Sequence, residues 1–288
     1  MSAPGRPKRE SFERRREDSP VHRLAARLRA LDLPVLPHLG VALVVLLVFA
    51  LAPRGALPDV PSTAPFLPPG WVHPLGTDDL GRDLAAVCLQ GARTSLLVGL
   101  GVTLLALTLG TAVGLVAGLG STLLDEVLMR VADVVASLPA LLIAVLVMAL
   151  YGGSIAALVL VMGLTRWPLV ARLVRLETAS LRSRAFVVAA RAIGASPARI
   201  ALRHILPHAS TAALASTGVL FGGALVSEAA LAFIGLGDPA VTSLGQLAAG
   251  GFAFIQHAPW IWAAPVASIV LLAVLAAAVS DPANLNPA

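Results

Sequence analysis

The chain has 288 residues, 57% hydrophobic and only 13% charged, with a mean hydropathy of +0.86 and a formal net charge of +5. That balance excludes an ordinary soluble domain, and several charge-free runs reach the about 20 apolar residues that cross a bilayer. One cysteine, Cys88, excludes an intrachain disulfide and any multi-thiolate metal site.

The basic residues are clustered. Nine of the 21 precede residue 30, seven lie between Arg172 and Arg203, and none follows Arg203. Such clusters beside apolar runs mark the inner side of a membrane and argue against nucleic acid as a partner. Residues 1–34 form a polar, basic N-terminal segment, expected to be cytoplasmic and partly disordered. It is too long and too charged for the n-region of a cleaved signal peptide, so the first span should be retained. Residues 35–288 are expected to form one transmembrane domain.

The first span is predicted from about Val35 to Ala52. Residues 53–92 follow with seven prolines, four aspartates and only Arg54 and Arg82 as cations, the composition of an outer loop. The second span is predicted to begin after Arg93, since residues 94–124 carry no charge. Within it Gly110, Gly114 and Gly118 repeat every four residues, a small-residue face that lets another helix approach closely. Asp125, Glu126 and Arg130 suggest a short inner turn. Residues 134–165 are again uncharged, and Tyr151-Gly152-Gly153-Ser154 supplies a turn within the run. An even number of crossings must separate the two basic clusters, so the run is read as two spans divided at Gly152, with Asp133 and Arg166 near span ends. The fifth span is expected over about His208 to Ser227 and the sixth over about Pro259 to Ser280, with residues 228–258 outside or re-entering the membrane edge. The fold class is therefore all-α, a multi-pass protein of the cell membrane with six transmembrane helices and both termini cytoplasmic.

The segment FVVAARAIGASPARIALRHILP, Phe186 to Pro207, reads as two short helices meeting at a corner. Ala189, Ala190 and Ala192 favour helix, Gly194 suits the left-handed position just past a helix end, and Ser196-Pro197 reads as N-cap and first helical residue. Pro207 is expected to close the second helix. An ordinary amphipathic connector would also account for these alanines and arginines. A stretch from Gly76, GTDDLGRD, mimics the glycine spacing of a phosphate-binding loop, but Arg82-Asp83 replaces Lys-Ser/Thr, and Asp78 and Asp79 would repel phosphate. No nucleotide or other cofactor is expected on this chain. His73, His204, His208 and His257 show no ligand spacing on one face, so no metal site is expected either. Glu228, at a predicted span end, has two readings: a pore or gate carboxylate, or a solvated outer-end group.

Three motifs carry a resemblance. AARAIGAS followed by RHILP resembles the cytoplasmic EAA loop of binding-protein-dependent ABC importers. HPLGTDDLGRDLAAVCLQGARTSLLVG, His73 to Gly99, and SEAALAFIGLG, Ser227 to Gly237, resemble elements of the peptide/nickel branch of these permeases. The chain is thus similar to C-type permease subunits of dipeptide, oligopeptide or nickel importers over roughly residues 70–250. The resemblance implies an ATPase-docking loop comprising Ala189, Ala190, Arg191, Gly194, Ala195, Ser196, Arg203 and Pro207. It implies a second permease subunit, two ATPase subunits that hold ATP and Mg, and an extracytoplasmic solute-binding protein, and it implies that this chain is not itself an enzyme. Departures are also present: Val188 stands at the family glutamate, Ala85-Ala86 at a Ser-Arg pair, Ala232 at a serine and Leu244 at a tryptophan, and VSDPANLNPA lacks a basic tail. The rival reading, a secondary transporter driven by an ion gradient, would call for midplane carboxylates, which the spans lack. An intramembrane enzyme would need a nucleophile or paired-acid motif, and the spans carry none.

Overall fold

The computed structural model describes Val48, Ala50, Leu51 and residues 64–279. The predicted first span, apart from those three residues, the N-terminal segment and the C-terminal tail lie outside the described residues. Among the described residues the architecture is helical, with one isolated β-bridge, Thr77 to Asp83. In chain order the helices are α1 (Leu84–Leu119), α2 (Thr122–Ser137), α3 (Ala140–Tyr151), α4 (Ile155–Leu181), α5 (Ala185–Ala192) and α6 (Pro197–Ile200). A π-helical turn (Ala201–Ile205) leads into α7 (Leu206–Ala215), followed by α8 (Thr217–Phe233), α9 (Leu244–Phe252) and α10 (Pro259–Val279).

Of these, α1, α4 and α10 are each long and apolar enough to cross a membrane. Two bent pairs qualify when each is counted together: α2 with α3, bent by 70°, and the Pro197–Ala215 stretch with α8, bent by 42°. The described residues therefore offer three to five crossings.

The boundaries differ from the sequence reading for identifiable reasons. Helix α1 starts at Leu84, well before Arg93, because the Asp83 carboxylate caps it by accepting from the Ala85 and Ala86 N–H groups. Cys88 accordingly lies on a helix and is buried, not in an accessible outer loop. Asp125, Glu126 and Arg130 sit on α2; the turn is at Gly120-Ser121, where Ser121 caps the new helix. Their charges are paired: Glu126 with Arg130 at 2.6 Å, and Asp125 with Arg175 of α4. The third apolar run breaks at Leu138-Pro139 as well as at Gly152, whose φ is +83°. Arg166 falls in the body of α4, not near a span end. Helix α8 runs on past Ser227 to Phe233, and residues 244–252 form a short helix packed on α1, α8 and α10.

The contact of α1 with α4 is built on missing side chains. A Cβ on Gly110 would lie 2.5 Å from Val170 Cβ, one on Gly114 2.5 Å from the Ala171 carbonyl, and one on Gly118 2.6 Å from Thr178 Cβ. Backbones therefore meet directly along that seam, as small-residue faces allow in lipid. A second cluster joins Leu84, Cys88 and Leu96 of α1 to Phe221 and Leu225 of α8, Leu244 of α9 and Leu272 of α10. The loop before α1 is clamped to α10, where Trp260 Nε1 donates to the Thr77 carbonyl at 3.3 Å.

Candidate functional site: an exposed helical corner

The segment after α4 is a corner whose shape is fixed locally. At the end of α5 the Ala195 N–H bonds the Ala190 carbonyl and the Gly194 N–H bonds the Arg191 carbonyl, both at 3.0 Å. This paired pattern ends a helix with a left-handed residue, and Gly194 has φ +84° with open space around a would-be Cβ. Ser196 then caps α6, its hydroxyl accepting from the Arg199 N–H at 3.3 Å, with Pro197 in the first turn.

Pro207 does not close the second helix; the chain stays helical to Ala215. A proline ring clashes with the carbonyl four residues back and cannot donate to it. Here the preceding turn widens: the Leu206 N–H bonds the Ala201 carbonyl, five residues back. Such single π turns absorb the mismatch and recur at functional sites.

The corner has an anchored face and an open face. Val187, Ala190, Ile200, Ile205 and Ala209 are buried in one cluster with Val174 and Leu181 of α4. Phe186 stacks on His208 with centroids 5.5 Å apart, tying α5 to α7. Arg182 at the end of α4 donates to the Gly118 carbonyl at 3.1 Å, and Arg175 bonds both Asp125 oxygens, so α1, α2 and α4 are joined just behind the corner. Facing outward are Ala189, Arg191, Gly194, Ser196, Arg199, Arg203 and Pro207, with Ala195 half-buried and Ala190 turned inward. The sequence reading missed the apolar tip: Ile193 is 87% exposed, Leu202 62% and Val188 54%. The signal for Ile193 was its place beside Gly194, at the apex of the turn. A basic rim around so exposed an apolar tip has the make-up of a docking surface.

Glu228 is a separate feature. It is buried on α8, where Ser95 Oγ of α1 donates to its Oε2 at 2.8 Å. The solvated outer-end reading is thereby set aside. It borders a small cavity with Thr94, Ser154, Asp238 and Ser243. Gly110, Gly114 and Gly118 lie in the α1–α4 seam behind the corner, where the Gly118 carbonyl accepts from Arg182. No group of His, Cys, Asp and Glu able to hold a metal ion occurs among the described residues.

Residues 110–282 match the family described as binding-protein-dependent transport system inner membrane component. The chain is 34% identical over 247 residues to the oligopeptide transport system permease protein OppC of Mycobacterium tuberculosis (strain ATCC 25618 / H37Rv), covering 83% of this chain and 85% of that one. It is 36% identical over 205 residues to the dipeptide transport system permease protein DppC of Alkalihalophilus pseudofirmus, covering 71% and 67%. Its fold is similar to that of a chain in the inward-facing MetNI methionine ABC transporter, with a TM-score of 0.57 at 17% identity over 70% of this chain and 96% of that one.

Proposed function

Because the chain belongs to the binding-protein-dependent transport system inner membrane components and is a permease subunit of an ABC importer, we propose that its solutes are short peptides. The names of the relatives, dipeptide and oligopeptide permeases, support that reading. The family reading displaces the secondary-transporter alternative. The chain is a multi-pass membrane subunit, working with ATPase and binding-protein partners as its family does.

In finer detail, the chain pairs with a second, different permease subunit, and two ATPases carry ATP and Mg. Both termini and the Phe186–Pro207 corner face the cytoplasm, in line with the clusters of arginine. Residues 1–34 precede the transmembrane domain of residues 35–288. A solute-binding protein docks on the opposite side.

The observation that carries the reading is the corner, with its rigid anchored face and its open basic face with an apolar tip. Ile193 and Val188 supply the apolar insert, while Arg191 and Arg203 supply charge at its edge. ATP-driven closure of the ATPases favours one position of this insert over another, and only such differential binding can shift a two-state equilibrium. The buried cluster of α4, α5 and α7 passes the displacement on as a rigid body, since close-packed interiors do not deform smoothly.

The test is reconstitution. With its second permease and ATPases in liposomes, the chain should hydrolyse ATP faster when peptide-loaded binding protein is present, and should accumulate peptide. Arg191→Glu or Arg203→Glu should weaken co-purification of the ATPases more than membrane insertion. Uptake of peptide by the purified chain alone along a proton or sodium gradient would refute the proposal.

A further inference from the structure

Arg166 lies eleven residues beyond Ile155 on α4, about 17 Å along the axis at the helical rise. The hydrocarbon core is about 30 Å thick, and α4 is long and apolar enough to cross it, so Arg166 lies near the middle of a candidate span. A charge at that depth is costly and marks a solute path unless it is paired.

Its fixed partners among the described residues are neutral. Nη2 donates to the Gly223 carbonyl at 3.0 Å and to Ser227 Oγ at 2.7 Å, both on α8. The Ser227 hydroxyl spends its own proton on the Gly223 carbonyl at 2.7 Å, leaving oxygen lone pairs for the guanidinium. Nε is buried without an acceptor. Three acids of the described helices have other partners: Asp133 with Arg172, Asp125 with Arg175, Glu228 with Ser95. Gly223 is shaped for the arrangement, since a Cβ there would meet Nη1 at 2.6 Å. The side chain is nevertheless only half-buried. Hydrocarbon would leave the exposed part of a guanidinium unsolvated, whereas a water-filled path beside a second permease subunit would solvate it.

We propose that Arg166 is a carboxylate-binding point in the translocation path, receiving the C-terminal carboxylate of a peptide in transit. The inference rests on the peptide-importer reading above. A guanidinium pre-oriented by Gly223 and Ser227 matches the planar geometry of a carboxylate. Every unmodified linear peptide carries that group, so the point recognises peptides without regard to their side chains. Two neutral hydrogen bonds hold the arginine without neutralising it, which lets the solute bind and still leave.

The experiment compares uptake of a dipeptide with that of its C-terminal amide in liposomes bearing the complete transporter, using the same binding protein throughout. Arg166→Gln should lower the acid-over-amide uptake ratio by about tenfold, the scale of one charge-assisted pair. Ser227→Asp, which gives the guanidinium a carboxylate of its own and keeps the buried charge compensated, should lower the ratio likewise, and Arg166→Lys should retain part of the preference. An unchanged ratio in Arg166→Gln or Ser227→Asp overturns the proposal. Equal loss of acid and amide uptake in Arg166→Gln also overturns it, because that result assigns the arginine to packing or to an acid on the second permease. A wild-type complex that moves neither peptide refutes the peptide reading itself, and this proposal with it.

Discussion

Substituting alanine for Gly114 probes the seam that holds the two longest helices together. The new Cβ would lie 2.5 Å from the Ala171 carbonyl, 2.8 Å from Val174 Cβ and 3.1 Å from the Arg175 amide nitrogen. Two of these atoms are backbone, so no side-chain rotation relieves the clash. Ordinary contact begins near 3.4 Å, and α4 must retreat from α1 by about 1 Å, a gap that forfeits a quarter to a half of each facing contact. Overpacking of this kind costs about 1–3 kcal/mol. Alanine gains back about 1 kcal/mol of helix propensity, leaving a net loss of about 0–2 kcal/mol. Thermal unfolding of the detergent-solubilised transporter, followed by size-exclusion chromatography, measures the shift. Gly250→Ala, where nothing lies within 4 Å of the new carbon, serves as the control and should be neutral or stabilising. Gly110→Ala meets Val170 Cβ at the same 2.5 Å, and one retreat of α4 clears both clashes. The double variant should therefore lose clearly less than the sum of the singles. A Gly114→Ala protein as stable as the Gly250→Ala control, or strictly additive losses, would refute direct backbone contact along the seam.

Three other expectations follow from particular residues. Gly194→Val forces a β-branched residue into φ +84°, costing about 1 kcal/mol or more; it should insert normally, lose ATPase co-purification and transport, and be partly matched by wild-type behaviour in Gly194→Asn, whereas full transport by the valine variant would mean the corner geometry is not required. Cys88 is buried and should resist maleimide from either side of the folded membrane protein, so orientation is better read from Trp71→Cys in a Cys88→Ala background. Trp71 is fully exposed, and labelling by impermeant maleimide only after permeabilisation would reverse the assigned topology. The Asp83 carboxyl is pushed up by partial burial, but hydrogen bonds from His73 and from the Ala86 and Ala85 N–H groups outweigh this and hold it below its ordinary 3.8. A carboxyl with a depressed folded value contributes stability above that ordinary value and loses it as pH falls through the folded one. Asp83→Asn should therefore flatten the loss of stability below about pH 4 and start from a lower plateau at neutral pH, because asparagine still caps the helix but lacks the carboxylate charge beside His73; an unchanged acid limb would show that the cap carries no linkage.

By itself the sequence determined the membrane class, the all-helical fold, the break at Gly152 and the turn at Gly194. Composition over about 20 residues settles a span without reference to any neighbour. A corner such as Ala190 to Arg199 closes through hydrogen bonds between residues a few positions apart, so Gly194 and Ser196 announce it in a single sequence. Tertiary structure decided the rest. Pro207 punctuates a chain read alone, yet the packed helices carry it through by widening the turn before it. Glu228 looked like a span-end acid until Ser95, 133 residues away, was placed against it. Arg166 looked like a boundary charge until α8 presented Gly223 and Ser227 to it from 57 and 61 residues on. In lipid a polar side chain is governed by the partner it finds rather than by its neighbours in the chain, and only packing brings those partners together.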